Sequence, residues 1–96
     1  MVSFFSIVLR MRTSSGFERF GVFELGTDRG FAVSLFTALE GSEDISETDI
    51  VQLDFVETKN NLPLNLRLKA CSANQLAANC RIITKELFKR WNIDVQ

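Results

Sequence analysis

Apolar and polar residues alternate with a period of two through most of this chain, and twice that period gives way to a helical one. Segment 2–12 sets Phe5, Ile7, Leu9 and Met11 against Ser6, Val8, Arg10 and Arg12, the pattern of a strand with one face in the core and one in water. Thr13 to Gly16 supplies turn residues. Phe17 to Leu25 alternates less cleanly, because Phe17, Phe20, Val22, Phe23 and Leu25 fall on both sides. A strand apolar on both faces is either covered twice or part of an interface.

Gly26-Thr27-Asp28 breaks this pattern and offers a side-chain oxygen, on Thr27 or Asp28, to cap a helix. The helix is predicted to run to about Glu40, with Phe31, Leu35, Ala38 and Leu39 as its inward stripe and Gly41 as a left-handed terminator. Val33 and Phe36 lie off that stripe. Residues 40–49 form an acidic connector, expected to hold one helical turn capped by Ser46.

Alternation resumes from Ile50 to Thr58, with Val51, Leu53 and Phe55 inward and Gln52, Asp54 and Thr58 outward, and Lys59-Asn60-Asn61 makes the next turn. Leu62, Leu64, Leu66 and Leu68 then alternate with Pro63, Asn65, Arg67 and Lys69, which predicts an inward row of leucines and an outward polar row. Ser72 and Gln75 are spaced as a capping box ahead of a long helix whose stripe is Leu76, Cys80, Ile83, Leu87 and Trp91.

Residues 2–41 and 49–93 thus repeat one order of strand, turn, strand and helix, a pseudo-repeat of topology with little residue-by-residue identity. A single domain over residues 1–96 is predicted, of α+β class: a ββαββα two-layer sandwich whose four-stranded, mostly antiparallel sheet carries two helices on one face. With 46% hydrophobic and 24% charged residues the composition is that of an ordinary globular chain. Nine phenylalanines and no tyrosine bring apolar area without a polar handle, which suits a core.

Net charge of −1 gives no global attraction to polyanions. The charge is uneven, however. Residues 1–48 hold four basic and seven acidic side chains, and residues 49–96 hold seven basic and five acidic, so an anionic partner would meet the second half. The apolar run from Met1 to Leu9 is too short to span a bilayer and has no basic leader or cleavage site, and a cytoplasmic chain without membrane attachment is expected. Cys71 and Cys80, with no histidine in the chain, match neither a zinc-ligand pattern nor a disulfide framework. Both are expected reduced: Cys80 belongs to an apolar stripe, whereas Cys71 sits where a helix N-terminus would favour its thiolate.

Catalysis has little to work with. There is no histidine, phosphate-binding glycine motif or nucleophile elbow, and Glu43, Asp44, Glu47 and Asp49 do not follow the spacing of a calcium loop. A non-enzymatic protein without a cofactor is expected.

Two surfaces remain. Phe20, Val22, Val33 and Phe36 exceed what one helix-covered sheet face can hide, and they predict a protein contact, most simply a homodimer. Alternatively, Arg10, Arg12, Arg67 and Lys69 on the open sheet face, or Arg81, Lys85 and Lys89 at successive i+4 steps of the second helix, would bind an anionic ligand. Simple pairing across the open face, for example Asp54 with Arg67, would account for its charges without any ligand. Nucleic acid is disfavoured because Phe88 and Trp91 are expected to pack, which leaves the basic stripe without an exposed aromatic.

Overall fold

The structure is a computed structural model that describes residues 2–91, with Trp91 described only by its place in a helix, so the expected packing of its side chain and the end of the second pseudo-repeat lie outside the described residues. The elements follow in the order β1 (Ser3–Thr13), β2 (Gly16–Gly26), α1 (Arg29–Ala38), β3 (Val51–Lys59), β4 (Leu62–Cys71) and α2 (Ala73–Trp91). The strands form one antiparallel sheet in the order β2-β1-β3-β4. The expected ββαββα order and α+β class hold.

Local chemistry accounts for each junction. Thr13 Oγ1 accepts from Ser15 N and donates to Gly16 O across the first hairpin tip, and Gly16 takes a positive φ there. Asn60 and Asn61 both have positive φ at the second tip, the backbone that a two-residue hairpin matching strand twist needs and that asparagine tolerates. Asp28, rather than Thr27, caps α1 by accepting from Phe31 N at 3.1 Å. The capping box of α2 closes in both directions, Gln75 N donating to Ser72 Oγ and Ser72 N to Gln75 Oε1.

Both helices cover one sheet face. Phe5, Ile7 and Leu9 of β1, Leu25 of β2 and Val51, Leu53 and Phe55 of β3 join Ala32, Leu35, Phe36 and Leu39 of α1 and Ile83 of α2 in one core. Phe55 stacks on Phe36 at 5.1 Å and on Phe5 at 6.0 Å between ring centroids. The helices lie antiparallel. Arg90 of α2 pairs with Asp28 at the start of α1, while fully buried Asn79 accepts from the backbone N–H of Glu40 and donates to its carbonyl beyond the end of α1.

Three details depart from expectation. The helix α1 ends at Ala38, and its buried stripe is Ala32, Leu35, Phe36 and Leu39, with Phe31 half-buried and Ala38 exposed. Instead of a helical turn, the connector makes a tight turn in which Ser46 and Asp49 bond each other's backbone N–H, and Ser42 pairs with Ala70 on the edge of β4. Gly41 permits that approach, since a Cβ there would stand 2.6 Å from the Ala70 carbonyl oxygen, at a φ of +139°.

The third is the most consequential. A bulge opposite Phe55 and Val56 inserts Leu66 into β4, so Phe55 pairs with Arg67 while Val56 pairs with Asn65. One extra residue moves every later side chain to the other face. The leucine row is therefore split: Leu66 packs against the core, whereas Leu68 pairs with Asp54 and lies on the helix-free side.

Candidate interaction face

The helix-free face of the sheet can be read row by row from the strand register. Glu24, Ser6, Val56 and Asn65 form one row across β2, β1, β3 and β4; Val22, Val8, Asp54 and Leu68 form the next; Arg19, Arg10, Gln52 and Ala70 form the third. Phe4, Thr58 and Pro63 close one end. The β2 and β1 members of these rows, with Phe4, Val56, Thr58, Pro63 and Asn65, line a hollow of about 460 Å³. Its floor is apolar, since Val8 and Val56 are buried although no helix covers them. Phe4 and Val22 stand exposed at its rim, and Phe20, extruded by a bulge opposite Leu9 and Arg10, is exposed on the same strand as Val22.

Charge on this face is paired at its centre and unpaired at its edge. Arg10 Nε lies 2.6 Å from Asp54 Oδ2, and the Asp54 side chain is almost wholly buried. That pairing replaces the expected bond between Asp54 and Arg67. Arg19 and Glu24, both exposed on β2, form no ion pair among the described residues.

The four apolar residues expected to form a contact patch do not share a surface. Phe20 and Val22 are exposed, but Val33 is half-buried against the core and Phe36 is fully buried. Phe36 belongs inside because α1 is rotated so that residues 32, 35, 36 and 39 face the sheet.

The expected basic set is likewise dispersed. Arg67 and Lys69 turn to the helix side because of the β4 bulge. Arg67 donates to both carboxylate oxygens of Glu43 and to Thr37 Oγ1, with its guanidinium over the Phe36 ring. Lys69 is 5% exposed, and its Nζ donates to the carbonyls of Phe36, Thr37 and Leu39. The last turn of α1 has no basic residue of its own, so β4 supplies the cation that its unpaired carbonyls favour. Arg12 donates to the carbonyls of Glu47 and Asp49 and covers the Phe17 ring, which ties it to the connector. Only Arg81, Lys85 and Lys89 remain together, exposed on the outer side of α2.

Alternation had already set Val8 on the open side, but sequence reasoning missed Phe4, Val56 and Leu68 as parts of that face, and it placed Phe88 in the packing, whereas Phe88 is 60% exposed. A helical wheel carried that last signal: Phe88 follows Arg81 by seven residues and so shares its side.

Several groups titrate away from their ordinary values. The Arg67 hydrogen bond holds the Glu43 carboxyl low and raises Arg67 in turn. Ser3 and then Arg29 hold Glu57 low, and the Phe31 N–H, followed by Arg90, does so for Asp28. A carboxyl lowered in the folded chain stabilises it fully above the unfolded value and loses that contribution as pH falls through the folded one. The thermal midpoint is therefore expected to stay level above about pH 6 and to fall progressively below about pH 5, with a shallower fall in Glu43→Gln. Melting curves that coincide between pH 6 and pH 3 would contradict these assignments.

Burial lowers the Lys69 ammonium and pushes up the Cys71 thiol. The start of α2 therefore does not activate Cys71, contrary to what its sequence position suggested. A cleft of about 610 Å³ beside it, between the connector and α2, is lined by Met11, Ile50, Val51 and Leu76. The nearby Ser72 and Gln75 side chains are committed to the capping box. Among the described residues, no group of three or more His, Cys, Asp or Glu side chains is placed to hold a metal ion, and no helix is long and apolar enough to cross a membrane.

Comparison of the chain with known protein families, with curated proteins and with solved structures finds no match.

Proposed function

We propose that this protein is a small cytoplasmic interaction and assembly module that self-associates by stacking the open sheet face on that of a second copy. The observation that carries this reading is the uncovered apolar rim of Phe4 and Val22 around a hollow floored by Val8 and Val56. Large apolar side chains grouped on an open face favour contact with another surface.

Charge favours a copy of the same chain as the occupant. A two-fold axis lying along the row Val22-Val8-Asp54-Leu68 sets the row of Arg19 and Arg10 over the partner's row of Glu24 and Ser6, twice by symmetry. The unpaired Arg19 and Glu24 then satisfy each other across the interface. Size is adequate as well. The molecule measures 42 × 34 × 21 Å, so a broad face can supply the roughly 800 Å² per partner of a standard interface. Two sheets stacked face to face, each backed by its helices, pack about 10 Å apart. Two cysteines outside any disulfide accord with a reducing compartment.

Sedimentation equilibrium tests the arrangement through charge reversal. Wild type is expected to dimerise at micromolar concentration. Arg19→Glu and Glu24→Arg should each weaken the dimer at least about tenfold, because like charges then face each other, and the double variant should restore it. A monomeric wild type at hundreds of micromolar, or a double variant no tighter than the single ones, would reject the reading.

A further inference from the structure

We infer that the outer side of α2 binds single-stranded nucleic acid, with Arg81, Lys85 and Lys89 on phosphates and Phe88 stacked on a base. This inference does not rest on self-association, since α2 lies on the opposite side of the sheet from the stacking face.

Arg81, Lys85, Phe88 and Lys89 are all exposed and stand at i, i+4, i+7 and i+8, on one side of the helix. They span about 12 Å of its length. Glu86 is the only acidic residue of α2, and it approaches Lys89 at 3.5 Å. The acidic connector lies by the first turn of α2, where Asp44 and Asp49 share a cleft with Ala73 and Gln75. A polyanion on this helix is therefore repelled from its start and drawn to its second half.

Cations near a helix C-terminus gain from the macrodipole whether or not a ligand is present. An exposed phenylalanine among them gains nothing from that dipole. Phe88 is thus the feature that separates a ligand site from a solvated helix side, and it also selects the ligand. A base in a duplex is already stacked, an acidic peptide has no flat partner for the ring, and a membrane-binding helix presents a broad apolar side instead of one aromatic. An unpaired base stacks on an aromatic ring while its phosphates meet the flanking cations.

Fluorescence anisotropy with a labelled oligothymidylate at low salt tests the site, with a duplex of equal length, polyglutamate and anionic vesicles as competitors. Binding should weaken with salt at a log–log slope of about −2, as expected for three phosphate contacts on a single strand. Lys85→Glu should lower affinity more than about tenfold, and Phe88→Ala by about fivefold or more with the salt slope unchanged. Lys59→Glu makes the same charge change at a hairpin tip and should alter affinity less than about twofold. Thermal melts of the variants confirm folding, since every changed side chain is exposed. No binding at low salt would overturn the site. So would an unaffected Phe88→Ala, equal losses in Lys59→Glu and Lys85→Glu, or competition by duplex, polyglutamate or vesicles as strong as by the single strand.

Discussion

Replacing Phe36 with alanine is expected to destabilise the fold by about 3–5 kcal/mol, the usual cost of truncating a buried phenylalanine, and to lower the thermal midpoint by more than about 12 °C. The ring is fully buried, stacks on Phe55 at 5.1 Å and carries Arg67 and Lys69 over it, with the Arg67 guanidinium carbon 5.1 Å and the Lys69 ammonium 5.0 Å from its centroid. Truncation opens a void in the layer joining α1 to β3 and also removes the surface on which both cations rest. A surface phenylalanine behaves differently. Phe88→Ala should change stability by less than about 0.5 kcal/mol. Chemical denaturation of the two variants side by side checks the contrast, and a Phe36→Ala protein as stable as wild type would return Phe36 to the surface.

Lys69→Met is expected to cost about 3 kcal/mol, most of it from carbonyls left without a donor. Methionine keeps most of the apolar stem over Phe36 and removes the ammonium from three acceptors, with Nζ to Phe36 O and to Leu39 O both 2.8 Å. Relief of the buried charge works the other way, as the lowered pKa of Lys69 indicates. It offsets only part of the loss, because the helix end keeps its negative pole and has no basic residue in its own last turn. Amide exchange localises the effect: protection should fall first around Leu39 and the Ser42–Ala70 bridge. Unchanged stability would mean that the carbonyls find other donors.

These two residues also show where the chain can be read directly and where it cannot. In β1 and β3 the side-chain alternation runs through without an inserted residue, so the inward placing of Ile7, Leu9, Leu53 and Phe55 follows from alternation alone. The turns at Thr13–Gly16 and Asn60–Asn61 and the box of Ser72 and Gln75 follow from residues whose local hydrogen bonds or backbone preferences allow little else, while the cap of α1 was legible only to within Thr27 or Asp28. Strands β2 and β4 each contain bulges. A bulge shifts the alternation by one residue without leaving a compositional mark, which is why Leu68 and Lys69 exchanged their expected faces and why β2 reads as apolar on both sides.

The candidate surfaces depend on those same shifts. Arg67 and Lys69 left the anion-binding set because a single extra residue, Leu66, precedes them. One clue to Lys69 did exist in the sequence: the segment Phe36 to Glu40, in which α1 ends, contains no lysine, arginine or histidine, and its carbonyls needed a cation from elsewhere. The Asn79 clamp on Glu40 had no comparable signal, since an asparagine on a helix is ordinarily solvated and only the fold brings it to that backbone.

An uncovered sheet face that serves as the contact surface is tested most directly by a soluble paramagnetic relaxation agent, read on the NMR signals of individual side chains over a dilution series. In dilute protein the Val22 methyls and the Phe4 ring should broaden strongly while Phe36, Leu53 and Ile83 stay sharp, and the Val22 and Phe4 signals should become protected as concentration rises. Broadening of Phe36 in dilute protein, or Val22 and Phe4 signals that stay equally exposed as concentration rises, would contradict it.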